Sequence, residues 1–210
     1  MAQIIKFPGR ASKFGYTRAK RRVRPENPDQ LQLFSQTAPS NILAISSDLN
    51  SFERALMLDE QGDAKAAELY LQAINNNESI ADAYCNLGII QSKQGLTSKA
   101  FDSFTKSLSH NPRHFEAHYN LGNLYFEAND CRLAQVHYQI AVEIESNFPN
   151  AYFNLGLVLA VINDFEAAIR ALEMYQSLVP PNAAQNATEL LENLRKSLSV
   201  KKTSRPSSGR

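Results

Sequence analysis

Tryptophan is missing from the 210-residue chain, and cysteine occurs only twice, at Cys85 and Cys131. Two thiols cannot build a disulfide framework or a four-cysteine zinc site, so each is expected to act as a small filler side chain. Long apolar runs are also missing. The longest, Leu155 to Ile162, is interrupted by Gly156 and falls far short of the roughly 20 residues that cross a bilayer. Residues 1–7 hold only Ile4 and Ile5 ahead of Lys6, too little for a secretory core. A soluble chain in a reducing, cytoplasmic setting is the expectation. Glycine is scarce as well: Gly88, Gly122 and Gly156 recur in one triplet, Gly62 and Gly95 punctuate helix turns, and Gly9, Gly15 and Gly209 lie near the ends. None is left for a phosphate-cradling loop, and no Gly-x-Ser-x-Gly elbow occurs. No enzyme, cofactor or metal is therefore predicted.

Acidic residues are absent from both ends. Before Pro25 stand eight bases and no acid, and after Glu192 stand Arg195, Lys196, Lys201, Lys202, Arg205 and Arg210, again without an acid. The net charge of +1 thus hides a body with all 21 acids and the remaining 22 − 8 − 6 = 8 bases, or −13. Such asymmetry points to interaction tails.

The body repeats itself. Asn-Leu-Gly stands at 86–88, 120–122 and 154–156, at intervals of 34 residues. Tyr84, His118 and Tyr152 precede the triplets; Ala100, Ala134 and Ala168 follow twelve residues after each glycine, and Phe104, Tyr138 and Leu172 four residues later. Spacing of three and four residues marks helix faces, with breaks at Gly95-Leu96, Asn129-Asp130 and Asn163-Asp164 and a stop at Asn111-Pro112. Each unit reads as two antiparallel helices, brought close by the glycine and alanine and filled by the large residues. At these positions the sequence resembles the tetratricopeptide repeat, which implies an all-α solenoid, a right-handed superhelix of helical hairpins. Three clear units are predicted, 81–114, 115–148 and 149–182, after a divergent one at about 48–80. In the divergent unit Ala55, Leu58, Gly62, Ala67, Leu71 and Ile74 fit if the interval is 33. Residues 183–198 carry Ala187, Leu190, Leu191, Leu194 and Leu198 along one stripe, as an end-capping helix would. The expected organisation is a disordered arm, 1–46, a repeat domain, 47–198, and a disordered tail, 199–210.

The resemblance places Asn86, Asn120 and Asn154 on the concave face, where a row of amides can both donate to and accept from an extended backbone. It is similar to the asparagine ladder of O-linked N-acetylglucosamine transferase; the alternative is that Asn simply precedes Leu-Gly in such repeats. Asn123 is a further backbone holder, and Tyr119 and Phe153 are candidate apolar anchors. The predicted function is a non-enzymatic scaffold holding a partner's peptide in this groove. With one Lys among three acids along it, the groove does not match the basic carboxylate clamp of chaperone-binding relatives. A rival reading is a nucleic-acid or replication adaptor. There Arg18, Lys20, Arg21, Arg22 and Arg24 contact phosphates, while Gln30, Leu31, Leu33 and Phe34, in Gln-Leu-Gln-Leu-Phe, resemble the motif that docks bacterial proteins on the sliding clamp. That pentapeptide also suits an apolar anchor folding back on the first repeat. The basic stretch equally suits a solvated tail, a strand laid over the chain's own acidic body, or a targeting segment, although Pro8-Gly9 interrupts any continuous amphipathic helix. A third reading makes the repeats a regulatory module of a larger assembly. His110, His114 and His118 share a spacing of four, but Pro112 breaks the helix that would align them, so packing is the expected role of His118.

Overall fold

The computed structural model describes residues 15–20 and 49–203. Among them the regular elements are all helices: α1 (Ser51–Glu60), α2 (Ala66–Asn75), α3 (Ile80–Lys93), α4 (Thr97–His110), α5 (Phe115–Glu127), α6 (Cys131–Ile144), α7 (Pro149–Val161), α8 (Phe165–Leu178) and α9 (Gln185–Thr203). Consecutive pairs form hairpins, each hairpin packs on the next, and α9 packs on α8. The architecture is an all-α solenoid.

Local chemistry fixes the helix ends. Asn50 and Glu53 form a reciprocal capping box on α1, satisfying two backbone donors the first turn would otherwise leave bare. Asp130 and Asp164 accept from the backbone N–H groups of Leu133 and Ala167, each at 3.1 Å. α4 ends at His110, ahead of Asn111-Pro112, while Pro149 opens α7, where its missing N–H costs nothing. The turns inside the hairpins need one left-handed residue. Gly95 supplies it at φ 75°, Asn129 and Asn163 at 62° and 64°, and Asn is the side chain that tolerates this region best.

The triplet glycines meet the large side chains of the partner helix. A Cβ on Gly88 would lie 2.8 Å from the Phe104 ring; on Gly122, 2.7 Å from Tyr138; on Gly156, 2.7 Å from Leu172. Each of these three hairpins is thus a ring or branched side chain pressed against bare backbone. Cys85 and Cys131 are buried free thiols, and burial raises the pKa of each. Along α9, Ala187, Leu190, Leu191 and Leu194 join the terminal core cluster and Leu198 packs at its margin, covering the face α8 would expose. The helix runs beyond Leu198 to Thr203, into the stretch expected to be tail.

The divergent first unit departs from its expected register. Ala55 is buried and Gly62 adopts φ 73°, as a 33-residue interval requires. In α2, however, Ala66 and Tyr70 are fully buried, whereas Leu71 is 49% exposed. The interval is therefore 34 in α2, because the turn after Gly62 is one residue shorter than that after Gly95. One residue turns a helix by about 100°, enough to swap Tyr70 for Leu71 on the inner face.

Candidate peptide-binding groove

Asn86 on α3 and Asn120 on α5 are fully buried, and both hydrogen-bond to another segment of the same chain. Residues 15–20, non-helical, lie across both amides. The Ala19 N–H donates to Asn86 Oδ1 at 2.9 Å, and Asn86 Nδ2 donates to the Ala19 carbonyl at 2.9 Å. The Thr17 N–H donates to Asn120 Oδ1 and Asn120 Nδ2 to the Thr17 carbonyl, both at 2.8 Å. An amide side chain carries the donor and acceptor of a peptide unit. In extended chain the N–H and C=O of alternate residues face the same way, so two asparagines one repeat apart read residues 17 and 19. The segment runs from α5 back towards α1, against the order of the repeats.

Side chains of the segment meet their own partners. Arg18 Nε lies 2.6 Å from Asp59 Oδ2; its Nη2 donates to Asp59 Oδ1 at 2.8 Å and to the Asp59 carbonyl at 3.1 Å. Asp59 lies in the last turn of α1 and is only 6% exposed; Tyr70 Oη also donates to it, at 3.3 Å. A carboxylate so enclosed needs a counter-charge, and Arg18 supplies it. Tyr16 Oη donates to Glu127 Oε2 at 2.7 Å, and its ring stacks parallel to Phe104 at 6.3 Å. Burial, with Glu127 adding to it, drives the Tyr16 hydroxyl well above its ordinary pKa, so it remains a donor. Ala19 is 1% exposed and sits in a cluster with Cys85, Ile89, Ala100 and Phe104.

Other predicted site residues sit elsewhere. Asn154 Nδ2 donates to Tyr119 Oη at 3.1 Å and to Asn123 Oδ1 at 3.0 Å, and Tyr138 Oη donates to Asn123 Oδ1 at 2.6 Å. The third triplet asparagine and Asn123 thus engage each other and two tyrosines. Tyr119 is fully buried against Tyr138 and Phe148, and Phe153 against Tyr175, so both are core residues of the repeats. Of the basic residues named for nucleic acid, Arg18 holds Asp59 and Lys20 is exposed. Arg21, Arg22 and Arg24, with the pentapeptide Gln30, Leu31, Gln32, Leu33 and Phe34, lie outside the described residues. Sequence reasoning missed Asp59, and Phe104 as a stacking platform.

The histidines take structural positions. His118 Nε2 meets the Pro112 carbonyl at 3.1 Å and its Nδ1 meets His137 Nδ1 at 3.1 Å. The carbonyl accepts from Nε2–H of His118; when His118 is neutral its Nδ1 accepts from Nδ1–H of His137. Burial lowers both pKa values, that of His137 to about 4 with the help of neighbouring His118. His114 is the reverse. Burial opposes its charge, but hydrogen bonds to Asp82 and Glu116, with their charges, lift it to about 9. These shifts predict the pH dependence of stability. His137 is depressed, so its contribution is complete above pH 6.5, the ordinary value, and is lost as pH falls towards 4. His114 is raised, so its contribution is complete below 6.5 and is lost as pH rises through 9. Urea midpoints measured across this range should peak near neutrality; a midpoint rising steadily to pH 9 would contradict the assignment of His114.

Comparison with known proteins agrees with the fold. Family models described as tetratricopeptide repeat match residues 81–114 and 119–186. A BBSome complex member BBS4 homolog from Drosophila melanogaster is 29% identical over 113 residues, 54% of this chain and 23% of that protein. Tetratricopeptide repeat protein 8 of Mus musculus is 29% identical over 54% of this chain and 22% of its own length. The chain therefore spans less than a quarter of these relatives. Among solved structures, MamA is 21% identical, with a TM-score of 0.54 over 71% of this chain and 96% of its own. The first repeat domain of Spaghetti (RPAP3), bound to the HSP90 peptide SRMEEVD, is 24% identical, with a TM-score of 0.53 over 57% of this chain and 93% of its own. With three 34-residue units matched and the hairpins stacked as such repeats stack, the chain belongs to the tetratricopeptide-repeat family.

Proposed function

We propose that the chain is a non-enzymatic protein-interaction scaffold whose concave groove holds an extended peptide segment, with Asn86 and Asn120 gripping alternate backbone units. The supporting observation is the pair of two-bond clamps. Both asparagines take the segment by backbone atoms of Thr17 and Ala19, and a grip on backbone is indifferent to side-chain identity except where flanking pockets choose. The Spaghetti domain carries the acidic peptide SRMEEVD. Here the residues that meet the segment's side chains are Asp59 and Glu127, and acids suit a peptide bringing cations and donors.

The test is a random-peptide display library selected on the full-length chain, with each selected peptide measured again on Asn86→Ala, Asn120→Ala and the double variant. A hydrogen bond is worth about 0.5–1.5 kcal/mol net, so each two-bond clamp should contribute about tenfold in affinity and the pair about a hundredfold. Helical content should be unchanged. Selected peptides that bind the double variant as tightly as the wild type would defeat the groove reading.

A further inference from the structure

We infer that Tyr16–Ala19 is a resident copy of the ligand this groove selects: the partner is a polypeptide bearing aromatic–any–Arg–small in extended conformation, and it enters by displacing the chain's own segment. The inference rests on the groove reading above and adds the partner's chemistry and the occupancy of the site.

Each of the four positions meets a surface of distinct chemistry. At the first, a flat ring lies parallel to Phe104 while a donor at its tip reaches Glu127, 2.7 Å from Tyr16 Oη. Tyrosine provides both. At the second, Asn120 holds only the backbone of Thr17, so the side chain is unspecified. At the third, Asp59 presents Oδ1 and its carbonyl as acceptors to Arg18 Nη2 and sets Oδ2 in ion-pair contact with Nε. A guanidinium fork matches that array, whereas an ammonium is a point donor. At the fourth, Ala19 is 1% exposed and belongs to the core cluster that holds Cys85 and Ile89, and a longer side chain would overpack it.

Asp59 also explains why the segment is exchanged for a like segment. Were Arg18 to leave unreplaced, Asp59 would lose its ion pair and the Nη2 hydrogen bond to its carboxylate and keep the Tyr70 hydroxyl. A competitor that brings a cation of its own restores the charge-assisted contact, so a like segment is favoured over one without it. Because the resident segment belongs to the same chain, it competes at the millimolar effective concentration that tethering confers. A partner therefore binds the occupied groove more weakly than the emptied one, by the fraction of time the groove is open.

The experiment uses the full chain in two forms, wild type and Tyr16→Ala/Arg18→Glu, and a fluorescent synthetic peptide of residues 13–22 as probe. The emptied variant should bind the probe at least about tenfold more tightly than wild type. Probes carrying Arg18→Glu, Arg18→Lys or Ala19→Leu should each bind the emptied variant at least about tenfold more weakly than the unaltered probe. Adding Asp59→Asn to the emptied chain should erase the preference for Arg over Lys. Equal binding of the probe to both forms overturns the resident-ligand idea, and equal binding of the altered probes overturns the motif. Wild-type self-association abolished by Tyr16→Ala/Arg18→Glu, seen in sedimentation, would place the segment in a neighbour's groove and overturn displacement within one chain. If the double variant loses helical content, Ala19→Leu in the full chain is the second way to eject the segment, with the same outcomes. Library peptides that depend on Asn86 and Asn120 but lack the motif overturn this inference alone. A library with no such dependence removes the groove reading itself.

Discussion

Gly122→Val is expected to lower the unfolding free energy by about 3 kcal/mol, and Gly122→Ala by about 2 kcal/mol, through overpacking. On helix propensity alone alanine would gain about 1 kcal/mol at this position, so the sign itself is diagnostic. A Cβ here would stand 2.7 Å from two carbons of the Tyr138 ring and 3.1 Å from a third. The ring has little room to yield: its hydroxyl is tied to Asn123 Oδ1 at 2.6 Å and it packs at a tilt against Tyr119, ring centres 5.8 Å apart. Gly88 makes the instructive comparison. Its neighbour Phe104 has no hydroxyl to tether it and stacks against Tyr16, so Gly88→Ala should cost less. Urea titrations followed by far-UV circular dichroism give the ranking. A Gly122→Ala protein more stable than wild type would mean that Tyr138 swings aside freely and that the hairpin spacing is not set by this contact.

Periodicity made most of the fold legible, because a repeat states its packing three times. The glycine-to-ring contacts, the left-handed turn residues and the capping stripe all follow from positions 34 residues apart. The equivalence of Asn86 and Asn120 was legible for the same reason, but not that residues 17 and 19 of the same chain lie on them. What was not legible came from places where the repeat is broken. Asp59 lies in the divergent first unit, where no Asn-Leu-Gly triplet marks the register, and its role appears only with Arg18 opposite. The failure of Asn154 as a third rung has a sequence signal that only the structure makes intelligible. The residues 35 and 31 positions before it, Tyr119 and Asn123, are polar and reach its amide. The residues at the same offsets before Asn120 are Cys85 and Ile89. Only a long thiol contact at 3.4 Å competes there, and the Asn120 amide remains available to Thr17. Two apolar or weakly polar neighbours make a rung; two strongly polar ones turn the same asparagine inward.

That inward network is where the largest loss is expected. Tyr138→Ala should cost about 4 kcal/mol, the range for deleting a buried aromatic ring, since Tyr138 is fully enclosed between α5, α6 and α7. Tyr138→Phe keeps the ring and removes one hydroxyl, so it should cost about 1 kcal/mol; Asn123 Oδ1 still accepts from Asn154 Nδ2 at 3.0 Å. The two substitutions separate packing from hydrogen bonding at one position. A cycle with Gly122→Val sharpens the separation. The space vacated by the ring is the space that valine's methyl groups enter, so Gly122→Val/Tyr138→Ala should lose markedly less than the sum of the singles, by at least about 1 kcal/mol. Strict additivity would show that the two side chains do not share that space, and that the approach of α5 to α6, on which the placement of Asn120 beside Thr17 depends, is held by other contacts.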